Sequence, residues 1–400
     1  MLLNKILEYL AASPSFREAF DAPEKGVHSL YDMAEGQRAF YAAALARKTG
    51  RQILYIAPSD AAAMRAADIL FDCRCAAEEL FGAPGPEHVI FTQNATHALN
   101  IAIQGLMRRG GHCVISGYEH NSVVRPLAAL ADAGVRYSVA RAPLFEQEAM
   151  VDAFRAAITP DTRAAVVTHV SNVFGYILPI HAIDAVCAEK GIPLILDASQ
   201  SAGTLDVKLD SLTATAFLCM PGHKGLYGPQ GTGLLIARDG CEVPPLMQGG
   251  TGSLSHEAVS PNFLPDRHES GTQNIHGVAG LLEGLRFVCK EHELYRHERA
   301  LLELAAEKLL EIPGVLPYYD GGRGVQSGVL SFRMEGRAAD DVAYELGLLD
   351  IAVRGGLHCA PLAHETVGTR RGTVRVSFSA FNTRADVLAL CDALRQIAKK

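Results

Sequence analysis

From about Phe71 onward the chain alternates short apolar runs with helix-length stretches, and this alternation restricts the fold more than any other feature. "HVIFT" (88–92) reads as a strand and "THALNIAIQGLM" (96–107) as the helix after it. "HCVISG" (112–117) is a strand followed by the helix "SVVRPLAALADAG" (122–134). "RAAVVTHV" (163–170), the helix "HAIDAVCAEKG" (181–191) and the strand "PLILDA" (193–198) repeat the theme, and "TAFLCM" (215–220) and "TGLLIA" (232–237) close it. Branched apolar runs interleaved with helices argue an α/β fold with a mostly parallel sheet covered on both faces. Ligands in such sheets bind beyond the carboxyl ends of the strands, so the residues there carry the functional argument.

The end of the chain reads differently. A helical stretch is expected from about Val278 to Ile312, linking to a smaller α+β unit. That unit holds the strand "GVLSFRM" (328–334), the helix "ADDVAYELG" (339–347), the strand "TVRVSFS" (373–379) and a final helix from Arg384. The expected division is 1–70 as an atypical N-terminal α/β segment, 71–290 as the large domain and 291–400 as the small one.

Charge and cysteine usage exclude several classes. A formal net charge of -7 leaves no basic footprint, so nucleic acid is not an expected partner. No apolar run is long enough to span a bilayer and Met1 opens no signal peptide, so a cytoplasmic protein without a membrane partner is expected. The nine cysteines are odd in number and dispersed, which speaks for reduced thiols and against a disulfide framework. Cys73 and Cys75 lie two apart in a helical pattern and do not face each other, so no metal site is expected.

At the strand ends, "FTQNATHAL" puts Asn94, Ala95 and Thr96 at a helix start, where free N–H groups favour an anion. Taken alone, these residues read as an ordinary helix cap. His120 opens the next helix, and Asn172 follows "AAVVTHV" in "VSNVFG". Asp197 and Gln200 follow the strand that begins at Pro193. A carboxylate placed there is partly buried and needs a cationic partner. Lys208 is near in sequence, but a ligand cation would also serve.

Lys224 sits in "MPGHKGLYGPQGTG" (220–233), one strand later, at the same sheet edge. A lysine partly desolvated in a glycine-rich turn loses its charge readily and becomes a nucleophile. A lysine, an aspartate and a phosphate-binding helix start suit pyridoxal 5'-phosphate, which forms a Schiff base with lysine and needs an Asp against its pyridinium nitrogen. His120 could stack on its ring. The glycine-rich stretch lacks the spacing of a nucleotide loop and runs into a strand.

Over about 71–400 the chain resembles the pyridoxal-phosphate-dependent cysteine desulfurase / selenocysteine lyase family, class V aminotransferases of fold type I. The matching pieces are "TQNATHALN", "GYEHNSVV", "VSNVFG", "LDASQS", "PGHKGLYGPQGTG", "ESGTQN" and "RGGLHCAPL". The resemblance implies a large domain with a mostly parallel seven-stranded sheet and a small α+β C-terminal domain. It implies that Ala95, Thr96 and His223 bind the phosphate, that His120 stacks on the ring, and that Asn172 and Gln200 touch its hydroxyl side. Asp197 would pair with the ring nitrogen and Lys224 would carry the cofactor. Gly271 and Thr272 match a segment that reaches the phosphate of a partner subunit, which implies a homodimer. Pro221 stands where many members have a phosphate-contacting serine.

By the same resemblance, Cys359 takes sulfur from L-cysteine (or selenium from L-selenocysteine) and passes it to an acceptor protein, and Arg375 holds the substrate carboxylate. Arg354, five residues before Cys359, counts with Arg375 and Asn172 among the substrate-binding candidates. Either Arg354 or His358 would raise the thiolate fraction of Cys359. The bland readings are a packed thiol and a surface arginine. The implied activity is a cysteine desulfurase. The alternatives are selenocysteine lyase or another class V lyase or aminotransferase, and a non-catalytic fusion that keeps the fold.

The family's usual opening, resembling Tyr-x-Asp-Asn-Ala-Ala-Thr, is not found. Residues 1–70 instead resemble the start of a bacterial transcription-repair coupling factor, on "EGQRAFYAAALARKTGRQILYIAPS" and the helix after it. They lack a Walker lysine, so nucleotide binding is not inferred.

Overall fold

The computed structural model describes residues 60–254 and 256–399. The chain divides into two compact units, Met1–Ala67 and Asp68–Lys400. Most of the coupling-factor resemblance, "QILYIAPS" included, lies outside the described residues. Helix α1 (Asp60–Phe81) runs unbroken through the junction expected near residue 70. Its Cys73, Ala77 and Phe81 recur every fourth residue and are buried in the core beside Val89 and Phe91.

The elements that follow are β1 (Val89–Thr92), α2 (Ala95–Met107), β2 (Gly111–Ser116), α3 (Asn121–Ala129), β3 (Val135–Ala140) and α4 (Gln147–Ala157). Next come β4 (Thr162–Thr168), α5 (Ile180–Glu189), β5 (Leu194–Asp197), β6 (Thr215–Pro221) and β7 (Gly233–Ala237). They build a seven-stranded sheet in the order β1-β7-β6-β5-β4-β2-β3. Strand β7 is antiparallel to both its neighbours, and the other pairings are parallel.

Successive residues of each strand serve opposite faces, as the pleat requires. In β4, Ala165 and Val167 enter one apolar cluster while Ala164 and Val166 enter the other. Both faces are therefore covered, which is why these strands read as continuous apolar runs. Each buried Val, Leu or Ile contributes about 1.5–3 kcal/mol.

Helices α6 (Ile275–Lys290) and α7 (Leu294–Leu310) replace the single helix expected over 278–312. The reason is packing. Leu281, Leu282 and Leu285 of α6 serve the large sheet's core, whereas Leu301, Leu302, Ala305 and Leu309 of α7 serve a third cluster. The polar "KEHE" between them has no apolar stripe to hold one straight helix. The third cluster lies on a three-stranded antiparallel sheet, β10-β9-β8. Its strands are β8 (Val315–Tyr318), β9 (Val329–Met334) and β10 (Val374–Ser377), with α8 (Ala339–Gly347), α9 (Pro361–Val367) and α10 (Arg384–Ile397) around them. Strands β3 and β8 and helices α4 and α9 were not read from the sequence. Among the described residues no helix is long and apolar enough to cross a membrane.

Candidate active site

A cavity of about 270 Å³ opens where β4, β5 and β6 end and α2 and α3 begin. Ala95 and Thr96 form the first turn of α2 on its wall. Asn94 caps that helix, its Oδ1 accepting from the His97 N–H at 3.0 Å. Gly233 of β7 packs against Asn94 so closely that a Cβ there would stand 2.8 Å from the Asn94 Cα, so the approach requires glycine. The Thr96 hydroxyl lies 2.7 Å from that of Ser122.

Ser122 also fixes His120. Its backbone N–H donates to the His120 Nδ1 at 3.0 Å, capping α3. Nδ1 is therefore an acceptor and the ring proton sits on Nε2. Burial lowers the imidazole pKa, Asp197 opposes this, and Lys224, Arg354 and Arg125 reinforce it. His120 is thus chiefly neutral near pH 7, with an Nε2–H to donate.

Asp197, the last residue of β5, is 3% exposed. Its Oδ1 accepts from the Ser199 N–H at 2.9 Å, and its other oxygen carries no hydrogen bond among the described residues. Lys224 follows β6 in a tight turn closed by Tyr227 N–H to Lys224 O at 2.9 Å and Gly228 N–H to Gly222 O at 2.8 Å. Its side chain opens into the cavity. Surrounding protein lowers its ammonium pKa, the Asp197 carboxylate opposes this, and the Arg375 and Arg354 guanidinium groups lower it further. Lys208, the sequence neighbour considered for Asp197, is solvent-exposed.

Gln200 and His223 line the cavity, as do Pro221, Asn172, Arg354 and Arg375. The Asn172 amide donates one N–H to the His358 carbonyl at 2.7 Å, which leaves its second N–H and its Oδ1 for other partners. Arg354 forms an isolated antiparallel bridge with Arg375 of β10, exchanging backbone bonds of 3.2 and 2.8 Å.

Two expected residues stand outside this wall. Thr272 is exposed and lines a separate cavity of about 140 Å³ with Gln93, His97 and Asn274. Cys359 is exposed, its Sγ 3.6 Å from Nη2 of Arg354. Of the nine free cysteines only Cys289 and Cys359 are exposed, and burial pushes thiols such as Cys73 and Cys187 up to about 12. The packed-thiol reading of Cys359 therefore fails. His358 cannot act as its cation. Its ring is buried and burial pushes its pKa down to about 3, so the neighbouring charge is Arg354.

Sequence reasoning passed over Ser122, which joins Thr96 to His120, and Glu119. The Glu119 carboxyl is fully buried, accepts from the Ser116 hydroxyl and from the Thr168 N–H at 2.8 Å, and is pushed up to about 8 by burial. A hydroxyl two residues after a helix-capping histidine was the available signal for Ser122. Nothing in "GYEH" separates a buried glutamate from an exposed one.

The sequence profile of the aminotransferase class-V family matches residues 57–390. A probable cysteine desulfurase of Methanothermobacter thermautotrophicus is 32% identical over 324 residues, 78% of this chain and 80% of that protein. One from Mycolicibacterium paratuberculosis is 31% identical over 350 residues, 84% of this chain but only 50% of the relative, so the chain spans about half the length of that protein. Among solved structures, the apo cysteine desulfurase from Thermococcus onnurineus NA1 superposes with a TM-score of 0.79 at 29% identity, covering 91% of this chain and 92% of that one. The cysteine desulfurase CsdA from Escherichia coli gives 0.77 at 26%, covering 88% and 90%. The fold, the family match over most of the chain and these relatives together place it: the chain belongs to the aminotransferase class-V family and, within it, to the cysteine desulfurases.

Proposed function

We propose that this protein is a pyridoxal-phosphate-dependent cysteine desulfurase that converts L-cysteine to L-alanine and leaves the sulfur as a persulfide on Cys359. The observation that carries the reading is an exposed thiol held beside Arg354 at the edge of a cavity that also holds Lys224 and Asp197.

The donor set fits the cofactor. A helix N-terminus with the Thr96 hydroxyl suits a phosphate. A neutral imidazole at His120 suits a flat ring. The buried Asp197, with one oxygen unpartnered, suits a protonated ring nitrogen, and Lys224 supplies an amine of depressed basicity. Ala95, Thr96 and His223 would hold the phosphate, with Asn172 and Gln200 on the hydroxyl side. When bound, the cofactor supplies an electron sink for the carbon next to the substrate amine.

The chain's residues do the rest. Arg375 binds the substrate carboxylate, with Arg354 and Asn172 beside it. The free amine of Lys224 takes the α-proton. The Cys359 thiolate attacks the substrate sulfur, the carbon–sulfur bond breaks, and alanine leaves. His120 presents its Nε2–H to the site as a donor. The resemblance of the Thr272 segment and its place outside the cavity support a homodimer in which Thr272 serves the partner's site. L-Selenocysteine as substrate, an acceptor protein for the sulfur and a cytoplasmic setting belong to the same reading.

The test is alanine and sulfide formation from L-cysteine by the wild type and by Cys359→Ala. Loss of sulfide transfer in the variant supports the reading. Full turnover of cysteine without Cys359 would point to a class V lyase that forms no persulfide.

A further inference from the structure

His358 and Cys359 both adopt left-handed backbone conformations, with φ of +53° and +58°. Side-chain-bearing residues seldom do so, and two in succession persist only where the surroundings hold them. Here the holding bonds come from separate parts of the fold. The Asn172 amide, in the loop after β4, donates to the His358 carbonyl at 2.7 Å. The N–H of Asn121, next to His120, donates to the Cys359 carbonyl at 2.9 Å. From the strand side, the His358 Nε2 lies 3.0 Å from the Thr373 carbonyl and 3.1 Å from its hydroxyl.

A carbonyl oxygen only accepts, so the His358 ring donates from Nε2. Its Nδ1 is then a bare acceptor, buried with no partner among the described residues. The ring is 2% exposed. It is therefore neither a cation for the thiol nor a free proton carrier, and its polar contacts end at Thr373.

We propose that His358 is a positioning residue: its ring on Thr373 and its carbonyl under Asn172 fix the left-handed pair that presents the Cys359 sulfur to Arg354. The proposal rests on Cys359 being the sulfur-accepting thiol, and it concerns the resting protein rather than turnover. It adds a link between distant groups. Arg375 donates to the Asn172 carbonyl while the Asn172 amide holds His358, so the arginine expected to hold the substrate carboxylate and the thiol share one anchor.

The test uses the ratio of Cys359 alkylation rates by iodoacetate and by iodoacetamide, followed on the Cys359 peptide by mass spectrometry. Both reagents need the same thiolate, so the ratio cancels its amount and reads local positive charge. Arg354→Gln calibrates it with an expected fall of about fivefold. His358→Ala is expected to show a comparable fall. His358→Asn, which tolerates the left-handed region and keeps a side-chain donor, is expected to stay within about twofold of wild type. A wild-type ratio in His358→Ala, or a fall in folded His358→Asn as large as that in Arg354→Gln, would overturn the proposal. Should His358→Ala not fold, the His358→Asn result decides. Cysteine turnover is assayed separately, so an inactive protein with the expected ratios refutes the desulfurase reading, while the ratios still show that His358 places the Cys359 sulfur beside Arg354.

Discussion

The Arg375 guanidinium donates from Nη1 to the Asn172 carbonyl at 2.8 Å, while its Nε is buried without a partner among the described residues. Burial and the nearby Arg354 both lower its pKa, and Cys359 opposes them. An anion in the cavity would offset that desolvation. Arg375→Lys and Arg375→Gln are therefore expected to raise KM for L-cysteine about ten- to hundredfold, with a smaller change in kcat. Steady-state kinetics check this. A kcat loss with unchanged KM would remove Arg375 from substrate binding.

Asp197 is expected to hold a proton on its partner. Asp197→Asn keeps the shape and removes the charge. Turnover should fall about a hundredfold or more. Less opposition to the burial of Lys224 should also lower the lysine's pKa further. Single-turnover rates with the loaded protein measure the first effect, and near-wild-type rates would contradict the role.

Glu119 gives a pH prediction with a definite sign. In the folded protein its carboxyl keeps its proton to about 8, whereas the ordinary value is 4.5. Between these pH values the unfolded chain has lost a proton that the fold retains, so stability falls as pH rises through the window and levels off above it. Glu119→Gln keeps an oxygen to accept from Ser116 and Thr168 and has no proton to lose. Its stability relative to wild type should rise by a few kcal/mol between pH 5 and 8, at about 1.4 kcal/mol per unit at most. Denaturation at several pH values tests this. Parallel curves for the two proteins would contradict it.

The site was legible because its residues stand at strand ends in short runs: Asp197 directly after "LIL", Lys224 just past β6, His120 opening α3. Position follows from topology there, and topology follows from the apolar runs. What escaped depends on long-range packing. Strand β3 is an edge strand with Arg136 and Tyr137 exposed, so it lacks the continuous apolar run of its neighbours. The break between α6 and α7 reflects which core each helix serves. The inward turn of His358 is set by Thr373, fifteen residues on in the chain, and sequence alone left it equal to Arg354 as a neighbour of the thiol.

Arg74 of α1 makes a buried two-pronged pair with Glu269, at 2.9 and 2.7 Å, and its guanidinium carbon lies 4.2 Å from the Phe91 ring centre. Glu269 also accepts from the Phe91 N–H at 2.6 Å, which ties "ESGTQN" to β1. Arg74→Ala would strand a carboxylate in the interior and cost about 3–5 kcal/mol. A denaturant midpoint unchanged from wild type would show that the pair contributes nothing.

The most direct measurement is the visible absorption spectrum of the purified protein, with and without added pyridoxal phosphate, beside Lys224→Ala. The expected result is a band of lysine-bound cofactor in the wild type that is absent from the variant. A folded wild-type protein that shows no band even in excess cofactor would contradict the cofactor reading, and the desulfurase reading with it.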